Sequence, residues 1–174
     1  MNLIVCNPIT GNDMQTEHKI ASTLLARKKT LSAAESCTGG LLSHTLTNIS
    51  GSSGFFHLGI VAYDNAAKTK LLKIPSGILK KHGAVSSQVA ALMAQNVRKI
   101  LKTDFGIGIT GIAGPSGGTK AKPVGLVYIA VSDGKQTVCS RFDFKGTRLA
   151  IKQKALAEAL TLLDNTLHGF SSSH

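Results

Sequence analysis

The feature that most constrains this chain is a repeated switch of apolar period along residues 13–167. Segments with apolar residues three and four apart alternate with short runs at strand spacing, so helices and strands must follow one another in turn. Residues 13–29 carry Ile20, Leu24 and Leu25 at helical spacing, and residues 30–36 (TLSAAES) read as a short buried strand. After Cys37-Thr38-Gly39-Gly40 the helical pattern resumes over 41–50, and Gly51-Ser52-Ser53-Gly54 closes it. A strand is expected over 56–64, a helix from about Asn65 through Leu72, and a fresh segment from Pro75. Residues 86–102 form the strongest helix signal, with Ser86 as its cap. Residues 104–111 read as a strand that enters a Gly-rich loop at 112–123. VGLVYIAVSD and KQTVCSRFDF then form an antiparallel hairpin around Asp133-Gly134, and 148–167 reads as a closing amphipathic helix. Alternating strands and helices plus one hairpin predict an α/β fold, a three-layer α/β/α sandwich with a mixed central sheet. At 174 residues the chain is expected to be a single domain spanning 1–174.

Composition narrows the function classes. The 20 basic and 9 acidic residues give a net charge of +11, which raises the question of polyanionic partners. Only four of the basic residues are arginine (Arg27, Arg98, Arg141, Arg148), whereas forked recognition of phosphates and bases favours arginine. With 6 Phe, 2 Tyr and no Trp, a stacking platform for single strands is poorly supplied. A lysine-coated surface is therefore expected, and nucleic acid is disfavoured as a partner. The 3 cysteines (Cys6, Cys37, Cys139) contain no CxxC, so neither a disulfide framework nor a thiolate metal site is implied, and a reducing cytoplasm suits them. No run reaches the ~18 apolar residues of a membrane span, and the short apolar N-terminus has no leader pattern, so neither export nor a membrane partner is expected. The polar tail at 169–174 is expected to fray.

Several motifs carry no chemistry. Gly106, Gly108 and Gly111 match GxGxxG, but they lie inside a strand and lead to Gly114-Pro115, not to a helix N-terminus that would hold a pyrophosphate. The run ending Gly117-Gly118-Thr119-Lys120 lacks the adjacent GK[ST] of a phosphate-binding loop. The histidines are scattered without ligand spacing and the nine carboxylates are dispersed, so neither a metal site nor a carboxylate pair is expected. Hydroxyl chemistry remains. Ser36, in Glu35-Ser36-Cys37-Thr38-Gly39-Gly40, sits at a strand-to-helix turn where glycines permit a sharp bend. Such a turn can present a nucleophile while the N–H groups of residues 37–40 hold an oxyanion, or Ser36 can simply cap the helix. No histidine is placed to serve as its base. Lys68 follows the next strand and reaches the same sheet edge if that strand is parallel, with Tyr63 five residues before it, although Lys68 can equally be one more solvated lysine.

Six blocks, AESCTGG (34–40), GSSGFF with YDNAAK (51–56 and 63–68), HGAVS (82–86), GITGIAGPSGG (108–118), KPVG (122–125) and FKGTR (144–148), together resemble the CinA C-terminal domain family of nicotinamide-nucleotide amidases. The resemblance runs from about residue 14 to 165, and larger members carry a further N-terminal domain. It implies hydrolysis of nicotinamide mononucleotide to nicotinic acid mononucleotide and ammonia, by a Ser/Lys mechanism without metal or cofactor, in a homodimer. It implies Ser36 as nucleophile, Lys68 as general base and Tyr63 beside them. It also implies a substrate pocket drawn from Cys37, Thr38, Gly39, Gly40, Asn65, Thr110, Gly111, Gly114 and Arg148. Two positions depart from the family pattern, with Thr147 in place of the aspartate of its GDR motif and Lys152 in place of a later arginine, which alters the charge on the phosphate side. The basic charge and the family's name also imply a second class, a competence- or DNA-damage-associated binding module.

Overall fold

The computed structural model describes residues 13–169, so the expectations for the N-terminal apolar run and for the tail beyond Gly169 fall outside the described residues. Five strands form one sheet in the order β2-β1-β3-β4-β5: β1 is Leu31–Glu35, β2 Phe56–Val61, β3 Phe105–Gly111, β4 Leu126–Ser132 and β5 Thr137–Asp143. β1 pairs in parallel with both β2 and β3, while β4 and β5 extend the sheet antiparallel. The mixed sheet and the three-layer α/β/α sandwich are as the sequence predicts.

One face of the sheet is covered by α1 (Asp13–Ala26), α2 (Leu41–Thr47) and α6 (Arg148–Leu167). Ile20, Leu24, Leu42, Leu46 and Leu163 from these helices pack on Ile107, Ile109, Val127 and Ile129. The other face carries α5 (Ser87–Leu101), flanked by α3 (Asn65–Leu72) and α4 (Ser76–His82). Burial of these apolar side chains supplies about 25 cal/mol per Å² removed from water, the main term holding the layers together. The strand glycines have a packing role. A Cβ on Gly106 would lie 2.1 Å from the Ala94 carbonyl oxygen, and one on Gly108 2.3 Å from that of Ala90, so only glycine lets α5 settle this closely on β3.

Boundaries differ from the sequence reading where side chains hold the backbone. β2 ends at Val61, because Asp64 turns out of the strand to accept from the Ala66 N–H at 2.6 Å and caps α3. α2 stops at Thr47, a 3-10 turn over Ser52–Gly54 follows, and the segment after Pro75 forms the seven-residue α4. Asp133 closes the hairpin by accepting from the Lys135 and Gln136 N–H groups at 2.8 and 2.7 Å.

Candidate active site

The site forms where the parallel strands end. The Ala62 N–H donates to the Glu35 carbonyl and the Ser36 N–H to the Ile109 carbonyl, which carries the ladder one residue past β1 and fixes Ser36 at the carboxyl edge of the sheet. The chain then reverses through Gly39 (φ 63°) and Gly40 (φ 92°) into α2. Glu35, fully buried, points back under this turn. Its carboxylate accepts from the N–H groups of Gly40, Leu42 and Ser43 at 3.0, 3.1 and 2.8 Å, and from Ser43 Oγ at 2.7 Å. A carboxylate held on the first amides of a helix is stabilised by those donors and by the helix dipole. Glu35→Ala should strand several buried N–H groups and cost about 3 kcal/mol in urea denaturation, since each unpaired buried donor costs about 1–3 kcal/mol.

Lys68 is no surface lysine. It is 1% exposed, because α3 lays its side chain beneath the end of β1. Its Nζ lies 3.0 Å from Ser36 Oγ and donates to the carbonyls of Ala62 at 2.7 Å and Tyr63 at 3.2 Å. Burial drives its pKa below the ordinary lysine value, and the charge of Asp64 only partly opposes this. Burial pushes the neighbouring Cys37 thiol up to about 11, with the charge of Glu35 adding to the rise. Cys37 therefore stays protonated at neutral pH, and the hydroxyl beside the amine is the better candidate nucleophile.

Ser36 and Lys68 open onto a cleft of about 330 Å³. Of the residues singled out in the sequence, Cys37, Tyr63, Asn65, Thr110, Gly111, Gly114 and Arg148 line it as well. Thr38, Gly39 and Gly40 are not among its lining residues. Thr38 is buried, and a Cβ on Gly39 would face Lys152 Nζ at 3.6 Å on α6. The expectation that the N–H groups of 37–40 all hold an oxyanion needs correction. Gly39 donates to the Ser36 carbonyl and Gly40 to Glu35, which leaves Cys37 and Thr38 as the turn's N–H groups without an oxygen acceptor among the described residues. Tyr63 meets the pair through its backbone carbonyl, while its hydroxyl accepts from Arg148 Nη2 at 2.6 Å. Arg148 Nη1 donates to the Gly114 carbonyl at 2.7 Å, so this cation bridges two walls of the cleft.

Ala84, Val85, Ser116 and Gly117 also line the cleft, and nothing in their own chemistry marks them. Only the position of HGAVS and GPSGG in two of the shared blocks pointed there. At the Thr147 departure, the threonine Oγ1 accepts from the Ala150 N–H at 3.3 Å and caps α6, a task an aspartate performs equally.

Comparison with known proteins agrees with this architecture. The model of the CinA C-terminal domain matches residues 13–167. A CinA-like protein of Syntrophus aciditrophicus is 49% identical over 157 residues, covering 90% of this chain and 37% of that protein. A CinA-like protein of Koribacter versatilis is 47% identical over 156 residues, covering 90% of this chain and 38% of its own length. The chain thus spans less than two fifths of the curated relatives it matches. Among solved structures, a competence/damage inducible protein of Agrobacterium tumefaciens superposes with a TM-score of 0.89 at 33% identity, covering 97% of this chain and 100% of that one. A competence-damaged protein (CinA) superfamily member of Enterobacter cloacae gives 0.86 at 35% identity, covering 96% and 98%. With the family match, the sequence relatives and the shared fold in agreement, the chain belongs to the CinA C-terminal domain family.

Proposed function

We propose that this protein is a nicotinamide-nucleotide amidase, which hydrolyses the carboxamide of nicotinamide mononucleotide to nicotinic acid mononucleotide and ammonia. The observation that carries the reading is the buried Ser36–Lys68 pair at 3.0 Å. A neutral amine has two N–H groups and one lone pair. With the two N–H groups given to the carbonyls of Ala62 and Tyr63, the lone pair is left for the Ser36 hydroxyl, which is the arrangement a general base needs.

Lys68 takes the Ser36 proton as Oγ attacks the carboxamide carbon. The oxyanion is held at the start of the turn by the N–H of Cys37, the residue of the turn after Ser36 that lines the cleft. Lys68 passes the proton to the leaving nitrogen, the C–N bond breaks and ammonia departs. A water, deprotonated by the same amine, attacks the Ser36 ester and releases the acid. Tyr63 and Arg148 close the outer side of the cleft, with Asn65, Thr110, Gly111 and Gly114 along its walls. In this reading the enzyme works as a homodimer without metal or cofactor.

The test is a panel of pyridine carboxamides assayed for ammonia, beside retention on DNA as salt is raised. Ammonia from the mononucleotide supports the amidase reading. Tight, steeply salt-sensitive DNA retention without ammonia would favour the binding-module class. In this reading Arg148, a cation on the cleft wall, contacts the 5′-phosphate. Arg148→Ala should therefore raise KM for the mononucleotide by about 10–100-fold and for the unphosphorylated riboside by far less, as loss of a charge-assisted bond of about 1.5–3 kcal/mol requires. Equal losses on both substrates would restrict Arg148 to its bridge between Tyr63 and Gly114.

A further inference from the structure

Two loops wall the cleft: residues 83–86, between α4 and α5, and residues 112–125, between β3 and β4. Neither belongs to a regular element where it meets the cleft, yet Ala84 and Val85 face the space over Ser36. The chain ties them by an unusual device. Lys122, half-buried at the far end of the second loop, extends across to the first and donates from Nζ to the carbonyls of His82 at 2.5 Å and Val85 at 2.7 Å. Thr110 Oγ1 donates to the carbonyl between them, that of Ala84, at 2.8 Å.

Three further details show that the position is built for this amine. Lys122 is held by Thr119, whose Oγ1 accepts from the Lys122 N–H at 3.0 Å and whose N–H donates to the Lys122 carbonyl at 2.8 Å. The His82 carbonyl belongs to the last turn of α4, where a cation meets the negative end of the helix. Gly83 has φ 75°, and a Cβ there would sit 2.8 Å from Lys122 Nζ, so glycine both makes the turn and leaves room for the ammonium.

We propose that Lys122 is a positioning residue, a strap that joins the 83–86 loop to the β3–β4 loop at Thr119–Lys122 and fixes the wall against which the substrate is held over Ser36. It touches neither Ser36 nor Lys68, so its effect falls on binding geometry and not on proton transfer. This proposal rests on the amidase reading for its kinetic consequence only.

The test combines 15N relaxation with kinetics on wild type, Lys122→Met, Lys122→Arg and Gly83→Ala. In Lys122→Met the order parameters of the Ala84 and Val85 amides should fall from the rigid range of about 0.85 toward 0.6 or below, with the Ser36 amide unchanged. KM for nicotinamide mononucleotide should rise about tenfold with kcat within about threefold, because binding is lost while the reacting pair is intact. Lys122→Arg keeps a cation in reach of the carbonyls and should restore part of the affinity. Gly83→Ala keeps the lysine but crowds its Nζ, and should loosen the same two amides. Unchanged order parameters in both Lys122→Met and Gly83→Ala would overturn the strap, whatever the protein's activity. A fall in kcat with KM unchanged would overturn the positioning role. A wild-type protein without amidase activity would instead count against the proposed function, with the relaxation result still deciding the strap.

Discussion

Lys68→Arg is expected to retain no more than about a hundredth of wild-type kcat/KM on nicotinamide mononucleotide, because a positioned general base contributes about 10²–10⁴-fold and a guanidinium cannot give up its proton. Lys68→Met should be equally inactive. The wild-type rate should rise with pH through an apparent pKa below 10.5, the direction in which burial moves this amine. The same shift affects stability with a definite sign. Between the lowered folded value and the unfolded value the unfolded chain binds more protons, so stability should rise with pH across that window and fall away as pH drops through the folded value. Lys68→Met should flatten this rise in urea denaturation at a series of pH values. An active arginine variant would show that Lys68 supplies only charge.

Ser36→Ala should lower kcat by about 10⁴–10⁶-fold, the scale on which serine nucleophiles fail when removed. The fold should barely respond. Ser36 Oγ meets Lys68 Nζ and no other hydrogen-bond partner among the described residues, so the melting curve should move by the equivalent of about 1 kcal/mol or less. Cys37 is a poor substitute, since burial pushes its thiol up to about 11 and keeps it protonated at neutral pH. Adding Cys37→Ala to Ser36→Ala should therefore change the residual rate little, as mass spectrometry and ammonia assay together can show.

The elements were readable because periodicity and capping residues are local signals. Residues 148–167 form α6 with the expected ends, and Ser86 caps α5 by accepting from the Val89 N–H at 3.4 Å. The strand glycines were recognised as a false dinucleotide motif, but their reason is tertiary, since only the approach of α5 explains Gly106 and Gly108. The site divides in the same way. The turn that carries Ser36 is legible in the sequence, although by itself it leaves nucleophile and helix cap equally open. Lys68 is not so legible, because one buried lysine looks like every solvated one until the parallel pairing of β1 and β2 brings Asp64, α3 and the strand end together. The engagement of the Gly40 N–H is likewise hidden, because it depends on Glu35 folding back under the turn, while Gly39 closes a tight turn on the Ser36 carbonyl. Ala84 and Val85 present only backbone and small apolar groups, and their carbonyls are held by distant side chains, that of Ala84 by Thr110 and that of Val85 by Lys122, 37 residues beyond it.

The most direct measurement is the partition of products when nicotinamide mononucleotide is hydrolysed in the presence of hydroxylamine. If Ser36 forms an ester with the substrate's acyl group, hydroxylamine competes with water for that ester. The expected result is a hydroxamate that grows at the expense of nicotinic acid mononucleotide as hydroxylamine is raised, with one ammonia released for each turnover and neither product formed by Ser36→Ala. Release of the acid alone at every hydroxylamine concentration, or hydroxamate formed equally well by the Ser36→Ala protein, would contradict an acyl-enzyme on Ser36.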